Sequence, residues 1–114
     1  MSVMESGRER PAGAVRVAAL EDLAPGTLTE VDANGVSVCL IRTADGELYA
    51  LRNNCSHKDF QLHLGTLEDN QLECAWHGAR FDVETGRALR LPAIKPVRTY
   101  EVIEDGGDVL VVTD

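Results

Sequence analysis

The 114 residues carry a formal net charge of -8, with 44% hydrophobic and 26% charged side chains. That length fits one domain on the usual prior of roughly 100 to 200 residues; it leaves no room for a large catalytic domain, yet buries enough surface to fold without a disulfide framework. The acidity argues against nucleic acid or an anionic membrane, because phosphate binding needs clustered Lys and Arg, and favours a protein partner with a basic face, with solubility alone as the competing reading.

Residues 1–13 are polar, contain Gly7, Pro11 and Gly13, and are expected to be a flexible N-terminus. The opening MSVMESGRER lacks the apolar core of a signal peptide. No apolar run approaches the roughly 20 residues that span a membrane. Three cysteines, an odd number, do not make a secreted disulfide scaffold. A cytoplasmic protein is expected.

Folded structure is predicted over 14–114, starting with a strand at AVRVAAL and a turn region at EDLAPGTL. TLTEV and GVSVCLIRT, rich in β-branched residues, flank Asn34-Gly35, a strong hairpin signal. Asp45-Gly46 joins the second of these to ELYALRN as another hairpin of the same kind. HKDFQLHLG shows no clean alternation and is read as a loop. NQLECAW, ARFDV and RALRL are brief predicted strands punctuated by Glu84-Thr85-Gly86, and PVRTYEVIED turns at Gly106-Gly107 into DVLVVTD. No sustained helical period appears. Many short strands with Gly and Pro turns predict an all-β antiparallel sandwich or barrel. Arginine and lysine are scattered along the chain, so no basic stripe is visible.

The chemistry concentrates in two short stretches. NCSHKD supplies Cys55 and His57; ECAWHGARFD supplies Cys74 and His77, with sixteen residues between His57 and Cys74. Either pair alone is weak evidence, because a buried thiol beside a hydrogen-bonded histidine is common. Together they offer two sulfur and two nitrogen ligands, which argues for a metal site. Tetrahedral zinc is one reading, but a zinc finger places both cysteines first and both histidines later, on a helix. Here each loop contributes one of each. If two cysteines bind one iron and two histidines the other, each loop spans a binuclear cluster and the two loops clamp it. Gly78 would then let backbone pass close to the sulfides.

Cys55-Ser56-His57, sixteen residues, then Cys74-Ala75-Trp76-His77-Gly78, with Phe81-Asp82 and Thr85-Gly86 behind, resembles the Rieske 2Fe-2S signature. The resemblance runs from about Val15 to Val112, with Leu62 and Gly65 in the first cluster loop and LPAIKPV as a proline-containing loop over the cluster. It implies a small antiparallel Rieske-type sandwich or barrel with two cluster-binding loops over 14–114, one 2Fe-2S cluster, and Cys55, His57, Cys74 and His77 as its ligands. It also implies histidine ring edges at the protein tip. Trp76 there is read either as part of an apolar docking rim or as core filling.

Respiratory and photosynthetic Rieske proteins carry an extra cysteine in each cluster loop. Neither is present here, and Cys39, the remaining thiol, is read as a small buried hydrophobe. High-potential relatives have a serine two residues after the second histidine ligand and a tyrosine two further on. Ala79 and Phe81 stand at those positions and donate nothing to sulfur, so the resemblance implies a potential at the low end of the Rieske range, about -150 mV. His63 is read as a loop residue without a metal role.

A freestanding domain of this kind resembles the ferredoxin component of ring-hydroxylating oxygenases, an electron carrier and not an enzyme. The implied partners are a flavin-dependent reductase and a terminal oxygenase or other redox enzyme, with the carrier a monomer. Alternatives are a reductase accessory subunit like the nitrite-reductase small subunit, a ferredoxin of iron-sulfur assembly, and a structural Cys2His2 zinc domain.

Overall fold

Ten short strands and two single turns of 3-10 helix account for the regular structure in the computed structural model, which describes residues 13–55, 61–75, 78–91 and 95–113. The flexible N-terminus expected over 1–13 lies, apart from Gly13, outside the described residues. Strands β1 (Ala14–Ala19), β2 (Thr27–Ala33), β3 (Val36–Arg42), β4 (Leu48–Arg52), β9 (Thr99–Asp105) and β10 (Asp108–Val112) form a six-stranded antiparallel sheet. Its order is β1-β10-β9-β4-β3-β2, and it curls until β1 approaches β2, giving a nearly closed barrel. Strands β5 (Thr66–Glu68), β6 (Gln71–Glu73), β7 (Arg80–Asp82) and β8 (Ala88–Arg90) form a second antiparallel sheet in simple succession. The all-β class read from the sequence is the class observed.

Turn chemistry explains most of the connections. Asn34 and Gly35 both have positive φ, 55° and 84°, as a two-residue primed turn requires, and Asp32 Oδ1 accepts the Gly35 N–H at 2.8 Å. The Asp45-Gly46 hairpin differs from the expected kind. Only Gly46 has positive φ, the Gly46 N–H reaches the Thr43 carbonyl at 2.9 Å, and Thr43 N–H pairs with the Glu47 carbonyl at 2.9 Å, so three residues make the loop. The sequence reading also passed over β5. Asp69 and Asn70, with φ of 50° and 62°, turn it back onto β6; an Asp-Asn pair tolerates left-handed backbone as Asn-Gly does, but signals it less strongly.

Two apolar clusters lie on opposite faces of β3 and β4. Val38 and Leu40 point to the barrel interior with Ala50, Val109 and Val111; Cys39 and Ile41 point the other way, to a core shared with the small sheet. Burial on both faces is why VSVCLIRT reads as a nearly continuous apolar run. Among the described residues no helix is long and apolar enough to cross a membrane.

Candidate metal centre

The second core cluster builds the site. Cys55 and Cys74, separated by nineteen positions, are 3% and 1% exposed and belong to one apolar cluster with Leu62, Leu72, Phe81, Val83 and Val97. No disulfide joins any of the three cysteines. The tertiary structure thus brings the two predicted sulfur ligands into one buried region. His57, His77 and Trp76 lie outside the described residues, as do Lys58, Asp59 and positions 92–94 of the LPAIKPV loop. Among the described residues no group of three or more His, Cys, Asp or Glu is placed to hold a metal.

Local pairing shapes the second loop. β6 and β7 pair Glu73 with Arg80, and the next rung, Cys74 N–H to the Ala79 carbonyl at 2.7 Å, closes the base of a tight loop over 74–79. Gly78 sits at φ 72°, a conformation unfavourable to side chains, and an added Cβ would meet Glu73 Oε2 at 3.2 Å. The side chains beside Gly78 are those of Glu73 on β6 and Arg90 on β8. Arg80 fastens the same face, donating to Glu73 Oε1 at 2.9 Å, Glu68 Oε1 at 3.3 Å and Gln71 Oε1 at 3.2 Å, and so ties β5, β6 and β7 across the sheet. Arg90 reaches the Gly78 carbonyl at 3.3 Å.

Two glycines let separate segments touch. A Cβ on Gly65, which leaves the first loop, would collide with the Glu73 carbonyl just before Cys74. A Cβ on Gly86, at φ 76°, would collide with the Val97 carbonyl, while the Val97 N–H donates to the Gly86 carbonyl at 2.8 Å. The first loop, the second hairpin and the end of the proline loop are thereby drawn around one core. Gly65 and Thr85-Gly86 carried the family resemblance in the sequence; the structure gives the steric reason.

The first loop is held by polar residues that sequence reasoning missed. Asn53, 4% exposed, accepts the His63 N–H at 2.9 Å, and its amide nitrogen lies 3.1 Å from Ser37 Oγ and 3.0 Å from His63 Nδ1. His63 Nε2 stands 3.8 Å from Glu30 Oε1; Glu30 Oε2 accepts from Ser37 Oγ at 2.9 Å and Gln61 Nε2 at 3.3 Å. Leu62, beside His63 in the 3-10 turn Leu62–Leu64, is fully buried against the cysteines. His63 thus has a structural part in the loop. The available signal was an Asn-Asn pair directly before Cys55, where a buried amide can satisfy backbone groups that strands leave unpaired.

Cys39 is fully buried, and desolvation pushes its thiol up to about 12. It behaves as the small hydrophobe expected of it, yet the fold places it in the same core as Cys55 and Cys74. Ala79 and Phe81 are also fully buried there, and their side chains present only hydrocarbon to that core.

The comparisons with known proteins agree with this architecture. A profile of the Rieske [2Fe-2S] domain family matches residues 13–101. The ferredoxin component of biphenyl 2,3-dioxygenase from Rhodococcus jostii (strain RHA1) is 44% identical over 90 residues, covering 79% of this chain and 83% of that protein. Among solved structures, the ferredoxin of carbazole 1,9a-dioxygenase from Nocardioides aromaticivorans IC177 superposes with a TM-score of 0.85 at 40% identity, over 90% of this chain and 100% of that one. A chain from a complex of reduced oxygenase and oxidized ferredoxin in carbazole 1,9a-dioxygenase gives a TM-score of 0.82 at 30% identity, over 90% of this chain and 94% of that one. With the profile spanning both cysteine segments and the core beneath them, this chain belongs to the Rieske [2Fe-2S] domain family.

Proposed function

We propose that this protein is the ferredoxin component of a multicomponent oxygenase, receiving one electron at a time from a flavin-dependent reductase and delivering it to a terminal oxygenase. The observation that carries this reading is mutual coverage at substantial identity: the alignment spans 90% of this chain and all of a dioxygenase ferredoxin at 40% identity. When bound, the 2Fe-2S cluster of a Rieske domain supplies a one-electron couple. Two buried cysteines from different loops, in one apolar cluster and without a disulfide, suit a group that needs two thiolates.

Cys55 and Cys74 are assigned to one iron, and His57 and His77 to the other. The chain's own residues then have clear tasks. Leu62, Leu72, Phe81 and Val97 exclude water from the sulfur side, the Cys74–Ala79 hydrogen bond fixes the second loop, and Asn53 fixes the first. Ala79 and Phe81 withhold hydrogen bonds that would stabilise an added electron. A cytoplasmic monomer built over 14–114 completes the reading.

The test is substitution into the biphenyl 2,3-dioxygenase system with its own ferredoxin omitted. Product formation restored by this protein supports the reading, and a reduced protein that leaves the oxygenase unreduced refutes it. Ligand assignment is checked separately. Cys55→Ser, Cys74→Ser and His57→Ala each remove the Rieske electron paramagnetic resonance signal, whereas His63→Gln retains it.

A further inference from the structure

Register places two arginines side by side that are far apart in sequence. The β4–β9 pairing sets Leu51 opposite Thr99 and Ala50 opposite Tyr100, and the next rung is Arg52 N–H to the Arg98 carbonyl at 2.8 Å. Arg52 and Arg98 are both exposed and line the same cavity of about 460 Å³, together with Ser37, Asn53, Gln61 and Tyr100. Like charges directly opposed across a strand pair destabilise it. Among the described residues neither guanidinium has a carboxylate partner, although the chain's net charge is -8; Arg16, Arg80 and Arg90, by contrast, are paired with acids. The nearby Glu30 is committed to Ser37, Gln61 and His63. Arg98 is further oriented by the Tyr100 ring, 5.2 Å from its guanidinium carbon.

We infer that the Arg52–Arg98 cavity is a docking site for a surface carboxylate of a redox partner protein. Planar guanidinium groups match carboxylates in geometry and charge. The cavity adjoins the root of the first cluster loop through Asn53, two residues before Cys55, and the end of the proline loop through Arg98. A carboxylate seated there would orient the partner beside the cluster loops. In sequence, positions 85–100 hold Arg87, Arg90, Lys95 and Arg98 and no acid, and Arg90 is paired with Glu73 at 3.9 Å. The same two segments expose Leu64 and Leu91, at 56% and 71%. Exposed apolar side chains on the segments that flank a charged pocket suit a protein surface better than a small anion, because a protein partner buries both. The overall acidity led to the expectation of a basic partner face; the charged residues that line this cavity, Arg52 and Arg98, have the opposite sign.

The inference rests on the electron-carrier reading, and two acceptor proteins separate the two. Holoprotein reduced with dithionite is mixed in a stopped-flow instrument with acidic plastocyanin or with basic cytochrome c, using wild type, Arg52→Gln, Arg98→Gln and the double variant. At about 10 mM ionic strength, where screening extends over about 30 Å, the double variant should react about 5 to 10 times more slowly with plastocyanin and no more slowly with cytochrome c. The difference should vanish near 1 M salt. An unchanged plastocyanin rate, or an equal loss with both acceptors, overturns the docking site. So does inorganic phosphate that stabilises the wild type alone at constant ionic strength while the plastocyanin rate ignores the substitutions, which marks a small-anion site. Failure of wild type to reduce either acceptor sinks the carrier reading instead.

Discussion

Replacing Asn53 with alanine should loosen the first cluster loop selectively. The side chain is 4% exposed and makes three close contacts: His63 N–H at 2.9 Å, Ser37 Oγ at 3.1 Å and His63 Nδ1 at 3.0 Å. A typical net value is about 1 kcal/mol per hydrogen bond, and a buried donor left without an acceptor costs about 1 to 3 kcal/mol. Ser37 keeps Glu30 as a partner, so its share of the loss is small, whereas the part-buried His63 N–H has no other acceptor among the described residues. The expected destabilisation is about 2 to 4 kcal/mol, or about 10 to 20 °C in the midpoint of a domain of this size. Urea unfolding followed by circular dichroism measures the total, and amide exchange at residues 61–65 locates it. A double-mutant cycle with His63→Ala should return a coupling of about 1 kcal/mol or more. A loss below about 0.5 kcal/mol, as at an ordinary surface position, or exchange that rises equally in the barrel, would refute the claim that Asn53 anchors this loop.

Gly65→Ala places a Cβ on the Glu73 carbonyl, so the loops must separate; purified protein is expected to lose the Rieske optical spectrum while Gly35→Ala, which meets nothing within 4 Å, costs only turn strain and keeps it. Cys39 should resist iodoacetamide at pH 8 in the folded protein and react in urea. Because burial raises its thiol from 9.0 to about 12, its contribution to stability is complete below about pH 9 and is lost as pH rises toward 12, at up to about 1.4 kcal/mol per unit. Cys39→Ala should therefore flatten the alkaline fall in urea midpoint. A redox titration should give a midpoint near -150 mV, and Phe81→Tyr should raise it by about 65 to 130 mV if the new hydroxyl reaches sulfur, the equivalent of a charge-assisted bond of about 1.5 to 3 kcal/mol; a wild-type midpoint above about +100 mV contradicts the argument from missing donors.

Local chemistry made much of this protein legible in its sequence. Asn34-Gly35 and Gly106-Gly107 encode turns through backbone that only a few residues adopt, so both hairpins stand where they were read. The two Cys/His pairs and the glycines around them also act over short spans, and they pointed to the family that the profile identifies. The three-residue strand Thr66–Glu68 was missed because so short an element draws its stability from its partner strand.

What required the tertiary structure is every relation set by register and close approach. Cys39 shares a core with Cys55 and Cys74 because β3 is buried on both faces; Asn53 meets His63 because Leu62 anchors the loop into that core. Arg52 and Arg98, 46 positions apart and scattered in the sequence, become neighbours through one antiparallel rung. A sequence records which ligands and turns a chain can make, since those depend on adjacent residues. Which side chains then face one another depends on pairing between distant strands, a choice made by the packing of the whole core.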